Sequence, residues 1–119
     1  MFEKTLVCFL MSILLSVAVC QAVGKEEQDK YYAAYNMILD EKYAEAIQAF
    51  EKFRKEFPNS DKGDDAFFWI CLAREKSGLS AEEAAKCYQN FIAAYPESDY
   101  ADDATENLVR IAHQLVKKG

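Results

Sequence analysis

Residues 80–104 repeat residues 42–66 at an offset of 38. Nine positions are identical: Glu45/Glu83, Ala46/Ala84, Phe53/Phe91, Pro58/Pro96, Ser60/Ser98, Asp61/Asp99, Asp64/Asp102, Asp65/Asp103 and Ala66/Ala104. Two more keep an aromatic ring, Phe50/Tyr88 and Phe57/Tyr95. Self-similarity at this period marks a chain built by stacking one supersecondary unit on the next. A unit of that kind cannot bury its apolar face alone, so each depends on its neighbour.

The pattern inside each unit is helical. Ala46, Phe50, Phe53 and Phe57 are spaced by four, three and four, which places them on one helix face. Ala84, Tyr88, Phe91 and Tyr95 do the same. Pro58 and Pro96 stop these helices, because proline disfavours the α conformation in the residue before it. The spacing predicts five helices, over 27–39, 42–56, 62–77, 80–94 and 100–117. Short connections make neighbours antiparallel. Gly78 is expected to end the third helix and Ser80 to cap the fourth. Asp61 and Asp99 are expected as N-caps. Asp64-Asp65 and Asp102-Asp103 then supply the negative charge that a first turn favours. The last helix carries Ala104, Leu108, Ile111 and Leu115 on one face and reads as a terminal cap.

The chain has 119 residues, enough for one domain. Its balance of 51% apolar to 29% charged residues supports a packed core. The first 22 residues stand outside that domain. Lys4 opens a weakly positive start, Leu6 to Val19 is an apolar run, and Cys20-Gln21-Ala22 is a small-x-small cleavage pattern. The expected division is a signal peptide over 1–22 and a mature domain over 23–119. Two alternatives stay open. One is an uncleaved N-terminal anchor. The other is lipidation: Val17-Ala18-Val19-Cys20 resembles a bacterial lipobox with Cys20 as the acylated residue, although Val19 departs from the usual small residue. The formal charge is −6, which disfavours nucleic acid and anionic membrane as partners, so a lipid would be the only membrane contact.

At these repeated residues the chain resembles the tetratricopeptide repeat family. That motif wants a small residue in its first helix, met here by Ala34 and Cys71. In its second it wants an Ala, an aromatic and then a proline, met by Ala46, Phe50 and Pro58 and again by Ala84, Tyr88 and Pro96. The departures are the loss of the usual glycine, a phenylalanine at 53 and 91, and a period of 38 rather than 34. The run from Tyr95 to Ala104 looks like the extended linker of envelope proteins of this type. Examples are the periplasmic partner of the Tol–Pal system and the lipoproteins that assemble outer-membrane β-barrels. The resemblance implies an all-α fold, antiparallel hairpins stacked as a short right-handed α-solenoid of two units plus a C-terminal capping helix. It also implies a concave groove, lined by the first helix of each unit, that grips a peptide or helix of a partner protein. Carried over by position, the groove residues are Tyr31, Tyr35, Phe68, Leu72, Glu75, Glu106, Arg110 and His113.

No catalytic constellation accompanies the repeat. There is one histidine, His113, no metal-ligand spacing and no phosphate loop. The paired carboxylates sit where helix starts want acid. The expectation is therefore a non-enzyme without cofactor or metal. It would be an exported interaction module of the periplasm, with a lipid-anchored subunit of an outer-membrane assembly complex as the alternative. A homodimer is also compatible with so short an array. Phe50, Phe53, Trp69, Tyr88 and Phe91 are assigned to packing, with Ala46, Ile70, Ala84 and Leu108 beside them. Cys71 and Cys87 each lie eight residues from Leu79, so antiparallel helices bring them level. Cys71 also holds the small-residue position where the hairpin pinches. A disulfide needs Cα atoms within about 7 Å, which only a close crossing allows. The alternative is two buried thiols acting as small apolar residues.

Overall fold

The computed structural model describes residues 2–119, with side chains described from Met11 onward except at positions 12, 15 and 20. Cys20, the candidate acylation site, therefore lies outside the described side chains. The described residues form five α-helices and no strand. They are α1 (Phe2–Leu39), α2 (Tyr43–Glu56), α3 (Gly63–Lys76), α4 (Ala81–Ala94) and α5 (Ala101–Lys118). Each packs on the next in sequence, and α1 also touches α3, the arrangement of a short tetratricopeptide-like solenoid.

The first helix differs from the expected 27–39 by running on continuously from Phe2. Nothing in its sequence breaks it: there is no proline, and a lone Gly24 costs only about 1 kcal/mol in a helix interior. Its leading half carries Met11, Leu14, Val17, Val19 and Val23 exposed. Among the described residues, no helix is long and apolar enough to cross a membrane.

The two units are built alike down to the backbone. Both second helices end on a residue kept out of the α conformation by the following proline, Phe57 (φ −125°, ψ 65°) and Tyr95 (φ −134°, ψ 64°). The linkers then fold identically. Ser60 N–H donates to Phe57 O at 3.1 Å, and Ser98 N–H to Tyr95 O at 3.2 Å. Asp61 and Asp99 do not cap, contrary to expectation: α3 and α5 start without a side-chain cap of their own. The serines are nearer. Ser60 Oγ accepts from Lys62 N–H at 3.1 Å and Ser98 Oγ from Tyr100 N–H at 3.2 Å. Ser80 does cap α4, in a capping box completed by Glu83. Gly78, at φ +97°, ends α3 in a Schellman turn: Leu79 N–H reaches Arg74 O at 3.1 Å and Gly78 N–H reaches Glu75 O. The end of α1 makes the same turn with Glu41 at φ 59°.

Two cores lie side by side. The first joins Tyr31, Ala34, Ile38, Ala46, Phe50, Phe53, Ala66, Ile70 and Ala73. The second joins Phe68, Cys71, Ala84, Cys87, Tyr88, Phe91, Ala104 and Ile111. Helix α3 serves both, sending Ala66, Ile70 and Ala73 one way and Phe68 and Cys71 the other. Ala34 and Cys71, the expected small residues, are both fully buried. Cys71 and Cys87 are joined across α3 and α4, with Cα atoms 5.5 Å apart. Leu108 is only partly buried, and Ile111 takes the deep position on α5 instead. Helix α5 packs chiefly on α4, while Val109 and Val116 stay exposed.

Candidate partner-binding face

Antiparallel alternation puts α1, α3 and α5 on one side of the array, so residues far apart in sequence meet there. The face divides into an aromatic half and a polar half.

The aromatic half begins with Tyr35, half-buried, which stacks parallel to Tyr31 and meets Trp69 edge-on at 5.1 Å. Trp69 in turn meets Tyr100 at 5.3 Å. Behind them runs a hydrogen-bonded chain. Trp69 Nε1–H donates to Tyr31 Oη at 3.2 Å, and Tyr31 Oη donates to Asp65 Oδ2 at 3.2 Å. Between these side chains opens a cleft of about 200 Å³, lined by Tyr31, Tyr32, Tyr35, Lys62, Asp65 and Tyr100. The Lys62 ammonium sits 4.7 Å from the Tyr31 ring and 5.8 Å from that of Tyr32. Burial pushes the Asp65 carboxyl above the usual carboxylate range, and the neighbouring charge of Asp64 adds to it. Burial likewise raises the Tyr100 phenol, with Asp65 as the next cause.

The polar half is self-satisfied. Tyr88, buried from α4, donates to Glu75 Oε2 at 2.7 Å and accepts from Asn107 Nδ2 at 3.3 Å. Arg110 Nη2 closes on Glu75 Oε1 at 2.5 Å. Burial and the hydrogen bond to Glu75 together push the Tyr88 phenol far up.

The groove residues expected from the sequence meet different fates. Tyr35 and Leu72 are half-buried on this face, and Glu106, Arg110 and His113 are exposed. Tyr31 and Phe68 are corrections: each is 4% exposed and belongs to a core, so neither offers a partner much surface. The reason is the tight lateral packing of one unit on the next. Tyr100 stacks on Phe68 at 4.7 Å, and Lys62 covers Tyr31. Glu75 is spent on Tyr88 and Arg110. Conversely, Tyr32, Lys62, Asp65, Trp69 and Tyr100 were not expected here. Asp65 read as a helix-dipole residue, Trp69 as core and Tyr100 as linker. The repeat held one signal: Lys62 and Tyr100 are 38 apart yet differ sharply in chemistry. Among the described residues no group of His, Cys, Asp or Glu is arranged to hold a metal.

No curated protein matches the chain significantly. The YfiO family model, described as outer membrane lipoprotein, matches residues 25–119, which covers all five packed helices and leaves out only the leading part of α1. That match agrees with the tetratricopeptide-like stacking and with export to the outer membrane. On the repeat, the stacked hairpins and this match together, the chain belongs to the YfiO outer membrane lipoprotein family.

Proposed function

We propose that this chain is a lipid-anchored scaffold of the outer membrane that holds a partner protein in envelope assembly. The partner, a peptide or helix, lies on the face of α1, α3 and α5. One observation carries the reading: partly open aromatic side chains, Tyr32, Tyr35, Trp69 and Tyr100, are gathered on that face and line or border one cleft. Grouped aromatics that the fold leaves partly open are what an interaction surface uses to bury a partner. The family is described as outer membrane lipoprotein, which fits a place at the envelope.

The anchor is the second part of the reading. Cys20 would carry the lipid, after removal of residues 1–19. The matched domain begins five residues later, at position 25, so the anchored domain would hang close to the membrane. The exposed apolar side chains ahead of Cys20, such as Leu14 and Val17, are those a leader would remove from the mature protein. A free N-terminus at Val23 is the second reading, supported by the small-x-small pattern at 20–22. Mass spectrometry of the mature N-terminus separates the two: an acylated Cys20 is expected, and a free Val23 means a soluble periplasmic module.

Site-specific photo-cross-linking tests the face itself. A cross-linker at Tyr35 is expected to capture an envelope partner that a cross-linker at the exposed Gln48 of α2 does not. Capture from Gln48 alone would move binding to the other side of the solenoid.

A further inference from the structure

The cleft on the odd-helix face has a chemistry of its own. Its walls are tyrosines from α1, the Trp69 indole stands behind, and Tyr100 closes it from the start of α5. At its floor is the Asp65 carboxylate, held by the Tyr31 hydroxyl. Asp64, Asp99 and Asp103 stand close enough to influence the acidities of Asp65 or Tyr100. A cation already rests here: Lys62 lies over two of the rings. Its ammonium is attracted by the negative faces of those rings. Lys62 is the cation lining the cleft and Asp65 the carboxylate.

We propose that this cleft is the anchor point for a cationic side chain, lysine or arginine, of the bound partner segment. The side chain enters between Tyr35 and Tyr100, lays its aliphatic stem on the rings and brings its charge to Asp65. Lys62 competes for the same place and is displaced outward. The inference deepens the reading that the face of α1, α3 and α5 binds a partner, and it rests on that reading. The choice of a cation follows from complementarity. An acidic anchor would meet Asp65, and like charges brought face to face at an interface are rejected. Asp65 is also a charge that the fold does not want. Its carboxyl is pushed up chiefly by burial, so at neutral pH its ionised form opposes folding. Asp65→Asn keeps an acceptor for Tyr31 and removes that opposing charge, so helicity is expected to be kept and stability to hold or rise, which makes it a clean probe.

A random nonapeptide display library selected on the full mature protein tests the proposal, with Asp65→Asn, Lys62→Ala and Tyr35→Ala selected in parallel. Affinity for the enriched peptides is then read from the fluorescence of Trp69, the chain's one tryptophan. Enriched peptides are expected to share a lysine or arginine at one position. Replacing that residue by glutamine should weaken binding about tenfold, as should Asp65→Asn, a loss in the range of a desolvated cation–π and ionic contact. Lys62→Ala should instead strengthen binding several-fold, because it removes the competitor. Peptides that depend on Tyr35 but share no cation, or share an acid that needs Lys62, would overturn this inference and leave the binding face standing. Failure to enrich any peptide whose binding depends on Tyr35 would sink both.

Discussion

At the scale of single residues, the repeat-equivalent pair Phe50 and Tyr88 shows how one position is used twice. Both are fully buried at the centre of their cores. The tyrosine's extra oxygen would be an unpaired buried group if it pointed inward, which costs about 1–3 kcal/mol. It instead reaches between α3 and α5 to Glu75 and Asn107, a link that Phe50 at the equivalent position cannot make. Phe50 has only packing to offer. Phe50→Ala is expected to cost about 3–5 kcal/mol, the range for deleting a buried phenylalanine. In a domain of this size that removes much of the 5–15 kcal/mol that holds typical proteins folded. Urea unfolding checks it, and a loss below 1 kcal/mol would mean the site is not the closed core described. The sequence pattern made this burial legible, because rings repeated at helical spacing have one face to fill. It did not reveal that Asp65 and Trp69 share a hydrogen-bonded chain through Tyr31, since those residues lie 34 and 38 positions from that tyrosine.

At the scale of elements, the ends of α1 and α3 make the same turn with different residues. Both need a left-handed residue just past the helix. Gly78 takes φ +97° there without steric cost, whereas Glu41 takes φ 59° and bears the strain of its Cβ. Glu41→Gly is accordingly expected to stabilise the protein, by up to about 1 kcal/mol, after subtracting the entropy a glycine adds to the unfolded chain. Gly78→Ala is expected to destabilise by about 1 kcal/mol. No atom would crowd the added methyl, so any loss there reports backbone conformation alone. Thermal unfolding of the two variants should therefore move Tm in opposite directions. A fall in both would show that the acidic side chain of Glu41 contributes something the turn geometry does not explain. Gly78 was readable as a helix stop because glycine advertises such a turn. Glu41 was not, because nothing in a glutamate signals a positive φ. The N-caps were misread for a related reason. Aspartate is a good cap, but the backbone path after Pro58 and Pro96 puts Lys62 and Tyr100 at the N-cap positions, where Ser60 and Ser98 accept their N–H groups instead.

At the scale of the whole molecule, stability is shared between two cores that meet along α3. The bridge between Cys71 and Cys87 ties α3 to α4, and so ties the helix common to both cores to the second hairpin. It closes a loop whose ends are 16 residues apart. A loop of that length is worth about 3 kcal/mol in the chain-entropy account. Protein isolated from an oxidising compartment is expected to show no free thiol when denatured without reductant, and reduction is expected to lower its stability by about that amount. Two labelled cysteines per chain would refute the bridge. In that case Cys71 and Cys87 serve as small buried apolar residues at the crossing, which their burial also suits.

The architecture is written in the order of residues along the chain: helix type, helix number, antiparallel order and the recurrence of the core. These follow from spacing along the chain, from Ala46, Phe50 and Phe53 and their partners 38 residues on, and from prolines that act on the residue beside them. Such local rules survive without knowledge of the neighbours. Which side chains remain open on the face of α1, α3 and α5 is settled instead by the packing of one unit on the next. Tyr31 and Phe68 hold groove positions in their own helices, yet residues from the next unit cover them, Lys62 in one case and Tyr100 in the other. The cleft with Asp65 at its floor exists because α1, α3 and α5 approach one another laterally. That approach depends on side-chain volumes summed across several helices, and no periodicity along one helix encodes it.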